Sequence, residues 1–216
     1  MSQYPQKLAP CARFAQRQAG FTMIEVLITF IILVVGLLGL IGLQVRSQQA
    51  EMESYQRGQA LVLMQDMIDR LNTNRTDAHA LAYVTASPVG GGGALTDCST
   101  LVAGAPFDLC EWGNELNGAA EVSVGGTCDT ASGAKCAGAM IGARGCIKYD
   151  ALSELKDSKG VTLAGTGVYT ITVVWQGVAP TVAPLTAVDC GLNLYAQESQ
   201  RRAITHTLRI AALNAQ

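Results

Sequence analysis

The sequence predicts an α+β fold in which one long N-terminal helix packs on a small antiparallel sheet. Three observations predict it. An apolar run at residues 21–43 follows a short polar leader. An amphipathic helical pattern then continues to residue 73 with no proline in it. Segments that alternate and are rich in β-branched residues gather in the last third of the chain.

The leader, residues 1–20, carries Lys7, Arg13 and Arg17 and no acid, a charge of +3. The run from Phe21 to Leu43 has 23 residues and one charge, Glu25. As a helix it would be roughly 34 Å long, enough for the hydrocarbon core of a bilayer. A secretory signal has a shorter apolar region followed by a small-residue cleavage site. Here Gln44-Val45-Arg46-Ser47-Gln48-Gln49 follows the run, and the Gly20-Phe21 junction precedes it. The expectation is a cut after Gly20 that leaves the helix with the mature chain. By the positive-inside rule the leader stays cytoplasmic and the rest faces the periplasm or its equivalent.

Gly36, Gly39 and Gly42 recur every third residue in the run. They read either as close helix packing in a membrane or as a segment able to unwind. Beyond the run, Ala60, Leu61, Met64, Met67, Ile68 and Leu71 form an apolar stripe at helical spacing. This amphipathic half, residues 44–73, should pack on the head, with Asn72-Thr73-Asn74 ending the helix. Residues 22–73 as one helix would reach about 78 Å.

The predicted globular head, residues 74–216, has 143 residues, enough for one core. Its first half, 74–143, reads as irregular, with a loop tip at Gly90 to Gly93 and a short strand at Glu121 to Val124. Clearer strands are expected at Arg144 to Tyr149, Val168 to Trp175 and Ala203 to Ala212. Tyr169, Ile171, Val173 and Trp175 share one face of the second. Ile204, His206, Leu208, Ile210 and Ala212 share one face of the third.

The chain has 15 basic and 17 acidic residues, and without the leader 12 and 17. That acidic balance excludes general nucleic-acid binding, which needs clustered Lys and Arg. Of seven cysteines, the cut would remove Cys11 and leave Cys98, Cys110, Cys128, Cys136, Cys146 and Cys190. None has C-x-x-C spacing, so disulfides in an oxidising compartment are expected rather than a zinc site or redox pair. Six cysteines allow fifteen pairings. Joining sequence neighbours gives Cys98–Cys110 and Cys128–Cys136 and leaves Cys146–Cys190.

No catalytic, cofactor-binding or metal-binding pattern stands out. His79 and His206 are far apart, and the glycine run lacks the Lys of a phosphate loop. Asn74-Arg75-Thr76 fits a glycosylation sequon. The one residue that asks for chemistry is Glu25. An acid near a helix start is favoured by the macrodipole, but a charge within hydrocarbon usually has a partner. Cutting after Gly20 frees the α-amine of Phe21. Between staggered helices, Glu25 of one chain could meet that amine on the next, a heterologous contact that propagates as a filament.

Gly20-Phe21-Thr22-Met23-Ile24-Glu25-Val26-Leu27, after a basic leader and before an apolar helix, resembles the signal of type IV pilins and pseudopilins. The resemblance implies the type IV pilin-like fold, cleavage after Gly20 by a prepilin peptidase, N-methylation of Phe21 by the same enzyme, and a docking role for Glu25 with Phe21. It implies no cofactor and no enzymatic activity. The expected partners are the peptidase, other minor pilins and the major pilin, the inner-membrane assembly platform, and membrane lipid before assembly. Glycines stand where many major pilins have a proline, which points to a minor pilin or a pseudopilin. The expected function is a minor pilin that joins a minor-pilin complex and primes pilus assembly. The alternatives are a minor pseudopilin of a type II secretion system and a membrane-anchored periplasmic binding or adhesive protein that never polymerises.

Overall fold

A computed structural model describes residues 20–91, 95–119 and 140–211. The elements are α1 (Met23–Thr73), α2 (Arg75–His79), β1 (Val89–Gly90), α3 (Ala105–Leu116), β2 (Ile141–Asp150), β3 (Val168–Gln176) and β4 (Arg201–Arg209). They fall in two compact units, residues 1–46 and 47–216, and α1 belongs to both.

In the first unit, every described side chain is exposed. This part of α1 is apolar all round, so no face of it is polar enough to prefer water. It is long and apolar enough to cross a membrane by length and composition.

In the second unit α1 becomes one-sided. Its buried residues are Gln56, Ala60, Leu63, Met64, Met67, Ile68 and Leu71. Leu61, expected on this stripe, is instead 46% exposed, while Leu63 is 5% exposed. At about 100° per residue, Leu61 stands about 90° past the centre of the face set by Ala60 and Leu71, whereas Leu63 lies about 70° on its other side. The last turn is braced by side chains: Asn72 Nδ2 donates to Ile68 O at 3.0 Å and Thr73 Oγ1 to Asp69 O at 2.8 Å. These add side-chain bonds to carbonyls one turn before the end, and Asn74 N closes the helix on Arg70 O at 2.9 Å.

The sheet is a four-stranded antiparallel meander in the order β1-β2-β3-β4. Ile147 of β2 is opposite Ile171 of β3, and Ile171 is opposite His206 of β4. One face of the sheet meets α1 and α3 in the main core, which holds Met67, Leu71, Tyr83, Trp112, Ile147, Tyr169, Ile171, Val173 and Trp175. The other face carries a smaller cluster of Cys146, Val174 and Cys190, with Tyr195 and Ala203 against it.

The strands differ from expectation mainly at their ends. β2 begins at Ile141, with a register shift before Arg144. β4 begins at Arg201 and ends at Arg209, earlier at both ends than Ala203 to Ala212. Residues 74–119 are more regular than expected, containing α2, β1 and the twelve-residue α3. The expected strand at 121–124 and the residues Cys128, Cys136, Gly92, Gly93 and Ala212 lie outside the described residues, as does the leader up to residue 19.

Two joints fix α3 in place. Asp77 of α2 accepts the Ala105 N–H at 2.8 Å, capping α3 from outside its own sequence. Trp112 is fully buried and its indole N–H donates to Leu63 O at 2.9 Å. Its ring lies so close to Gly145 that a Cβ there would sit 2.0 Å from it. Gly145 therefore serves close approach, since any larger residue would displace the indole.

Candidate functional site at the start of the long helix

Gly20 and Phe21 precede the first helical residue and are exposed, Phe21 at 82%. Thr22 is the N-cap by position. Its carbonyl accepts from Glu25 N at 3.1 Å and its hydroxyl accepts from the same N–H at 3.4 Å. Glu25 is thus the third residue of α1, in its acidic first turn. Thr-x-x-Glu is the spacing of a capping box, in which a Thr hydroxyl satisfies one of the free amides at the helix start. The acid there also meets the positive end of the helix dipole. Sequence reading passed over Thr22; its spacing from Glu25 was the available signal.

This geometry supplies three things at once. Gly20 and Phe21, on either side of the expected cut, are both exposed. A cut there would place a new amine one residue outside the cap. The carboxylate of Glu25 stands on a helix whose apolar surface is uncovered: Ile24, Leu27, Phe30, Ile31, Leu33 and Leu37 are each at least half exposed. Such a surface must be covered by lipid or by other helices, because soluble monomers do not sustain apolar patches of this extent.

The cysteines lie elsewhere. Cys98 is bonded to Cys110 and Cys146 to Cys190, all in the second unit. The second bond ties the loop after β3 to the sheet. Arg201, 1% exposed, completes the clasp: it pairs with Glu198 at 2.6 Å and donates to Val188 O at 2.8 Å and Cys190 O at 3.1 Å. Tyr195 adds a hydrogen bond to Gly142 O at 2.9 Å and lies under the Arg144 guanidinium.

The head's main charged cluster is structural. Arg70 of α1 reaches Asp66 at 2.7 Å, Glu111 at 2.8 Å, Glu115 at 3.1 Å and Asp108 at 3.5 Å. It binds α3 to α1, and burial is offset by its carboxylate neighbours. Glu115 is pushed up to about 7, chiefly by desolvation and then by the nearby Asp66 charge. Tyr83 is raised by burial and by donating its hydroxyl proton to Asp108. Tyr169 is pushed up to about 12, first by burial. Asn74 Nδ2, in the sequon, donates to Tyr83 and to Asp108 at 3.1 and 2.8 Å, so that carboxamide already holds the helix end together. His79 Nδ1 is 2.9 Å from Gly165 O, and His206 is exposed on β4. Among the described residues no group of three or more His, Cys, Asp or Glu is arranged to hold a metal ion.

Two family models match the chain. Residues 15–41 match the prokaryotic N-terminal methylation motif, and residues 42–110 match type IV pilin Tt1218. The first spans the junction and the exposed helix. The second spans the amphipathic helix, α2, β1 and the start of α3. No curated protein matches, and no solved structure matches. The methylation motif implies processing by a prepilin peptidase and assembly with other pilins. The two adjoining matches make residues 15–110 similar to type IV pilins, and within that stretch α1 is long and apolar enough to cross a membrane by length and composition.

Proposed function

We propose that this chain is a minor pilin of a type IV pilus, joining a minor-pilin complex that primes pilus assembly. The observation that carries the pilin reading is Glu25, held in the first turn of an uncovered apolar helix five residues after Gly20. In this reading a prepilin peptidase cuts after Gly20 and methylates the amine of Phe21. The helix at 21–43 holds the chain in the inner membrane, N-terminus in the cytoplasm and head in the periplasm, and then enters the pilus. Residues 44–73 carry the head. Glu25 of one subunit docks on the Phe21 amine of a neighbour. A disulfide between Cys128 and Cys136 would complete three bonds.

The minor-pilin assignment rests on resemblance. Leu37-Leu38-Gly39-Leu40-Ile41-Gly42-Leu43-Gln44, Arg144-Gly145-Cys146-Ile147 and Tyr169-Thr170-Ile171-Thr172-Val173-Val174-Trp175-Gln176 resemble the minor pilin PilV. A minor pseudopilin of a type II secretion system is the second reading, favoured by the same glycines in place of a proline.

Mass spectrometry of the mature protein tests the processing: a methylated N-terminal Phe21 is expected, and an intact Met1 would overturn the pilin reading. A deletion strain then separates the machines. Lost piliation and twitching with normal secretion supports the pilus; normal piliation with lost secretion supports the pseudopilus. Glu25→Ala should leave cleavage and insertion intact and reduce incorporation. Wild-type abundance of that variant in filaments would remove Glu25 from docking.

A further inference from the structure

The two outer edges of the sheet are treated differently. Along β2 the edge is occupied. Val89 and Gly90 pair with Gly145 and Arg144, and Gly91 N donates to Ala143 O at 2.7 Å. Thr85 N donates to Ile147 O at 3.0 Å, and Ile147 N donates to Thr85 Oγ1 at 2.9 Å. Along β4, no backbone group among the described residues pairs with the outer side. The direction of its amides follows from the register. Ile147 gives its N–H and C=O to Thr85, so they point away from β3. Its partner Ile171 therefore turns its own groups toward β4, where it faces His206. His206 is bonded inward, and the alternate residues Ala203, Thr205 and Thr207 present free N–H and C=O groups outward.

Sheet edges are normally blunted by Pro, Lys, a bulge or short length. β4 has nine residues, an unbroken register with β3 and no Pro, and between its terminal arginines the stretch Ala203 to Leu208 has no Lys, Arg, Asp or Glu. Thr205, His206 and Thr207 are exposed. At the start of this edge lies a cleft of about 220 Å³ lined by Glu53, Arg57, Trp175, Arg202, Ala203 and Ile204. Its charges are unequal. Glu53 is taken by Arg202 at 2.9 Å, and Arg202 also holds Ala179 O at 2.6 Å. Arg57 is exposed and has no ion-pair partner among the described residues. The cleft thus holds two cations and one anion.

We propose that the outer edge of β4 receives an extended, acidic segment of a partner protein as a fifth strand, with a carboxylate of that segment seated beside Arg57. Main-chain hydrogen bonds to Ala203, Thr205 and Thr207 supply the affinity, and the cleft supplies the selectivity. Charge decides the occupant. Arg201 and Arg202 are already paired within the chain, with Glu198 and Glu53, but Arg57 and Arg209 have no ion-pair partner among the described residues, and β4 contains no acid, so β4 of a second copy would bring no carboxylate to Arg57. An acidic strand from a different chain relieves the excess. This goes beyond the function proposed above and does not depend on which filament the chain enters.

The test uses the full chain in detergent micelles and the synthetic peptide Ac-Val-Thr-Val-Thr-Glu-Thr-NH2, which in antiparallel register sets its Glu opposite Ile204. Hydrogen exchange read residue by residue should show new protection at Ala203, Thr205 and Thr207 and little change at His206. The Gln version of the peptide, or Arg57→Gln in the protein, should bind roughly fivefold more weakly, the scale of one exposed ion pair. Thr205→Pro removes an outward N–H without a ladder bond to β3 and should abolish binding. The peptide N-methylated at its second and fourth residues should also fail, whatever the fold of the proline variant. The proposal is overturned if the acidic peptide does not bind at millimolar concentration, if the N-methylated peptide binds equally well, or if binding leaves the three outward amides unprotected. Self-association of the full chain that protects those same amides would replace the acidic partner with a second copy.

Discussion

The two halves of α1 share one backbone geometry and differ in everything their side chains meet. Up to residue 46 every described side chain is exposed, although the sequence there is the most apolar in the chain. From Gln56 to Leu71 seven residues are buried, although polar residues alternate with them. Hydrophobicity alone thus does not determine burial within the monomer. The one-sided stripe is covered by the chain's own sheet and α3. The all-round surface has no partner among the described residues and requires an environment, lipid or other helices.

Paired substitutions break that comparison most directly. Met67→Ala removes a fully buried side chain and should cost about 2–5 kcal/mol in unfolding of the head. Leu33→Ala, on a residue 58% exposed, should leave head stability within about 0.5 kcal/mol. Urea denaturation of the full chain in micelles, followed by Trp fluorescence, compares them. Equal effects would mean that the two halves unfold as one unit.

The disulfides should grade by the loop each closes. Replacing Cys146 and Cys190 with Ser opens a loop with sequence separation 44, and a chain-entropy estimate gives about 4 kcal/mol. The Cys98 and Cys110 pair, at separation 12, should cost about 3 kcal/mol. Thermal melts of the two double variants read the order, and a larger loss from the shorter loop would show that enthalpic contacts dominate.

The pH response should come from the buried half. Glu115 has a folded value of about 7 against an ordinary 4.5. The folded head therefore binds this proton more tightly than the unfolded chain does. The penalty for ionising Glu115 grows as pH rises from 4.5 through 7 and is complete above that. Glu115→Gln should gain stability relative to wild type at pH 8 compared with pH 5. A difference independent of pH would mean that Arg70 already neutralises the group.

The smallest effect belongs to the exposed half. A Cβ at Gly39 meets nothing within 4 Å, so Gly39→Ala should stabilise the local helix by up to about 1 kcal/mol, seen as slower amide exchange around residue 39. Unchanged head stability together with reduced assembly would show that the glycine serves close packing or unwinding between subunits.

What was legible in the sequence follows the same divide. Long periodic patterns declared α1, and dense alternation declared β3, because each is satisfied by local geometry. α3 was missed because Gly113, Asn114 and a buried Asp108 interrupt its apolar face. Its cues were present: Pro106 near the start, Ala105, Leu109, Trp112 and Leu116 at helical spacing, and Asn117-Gly118 at the end. β1 could not be read, because two residues become a strand only through pairing with Gly145 and Arg144. The Arg70 cluster was also hidden, since it joins charges that are 38 to 45 positions apart in sequence. At the helix start, Glu25 was conspicuous as a charge in an apolar run, whereas Thr22 looked ordinary without the cap it forms.

The indole of Trp112 has a mechanical meaning. Its N–H holds one carbonyl, that of Leu63, on a helix that offers a similar carbonyl every 1.5 Å. Sliding α1 by a single residue without turning it would bring the next carbonyl to the height of the indole about 100° round the axis, out of its reach. The bond therefore acts as a detent. A pull along α1 reaches the head at a definite tooth, and the head can yield only by surrendering the tryptophan from its core.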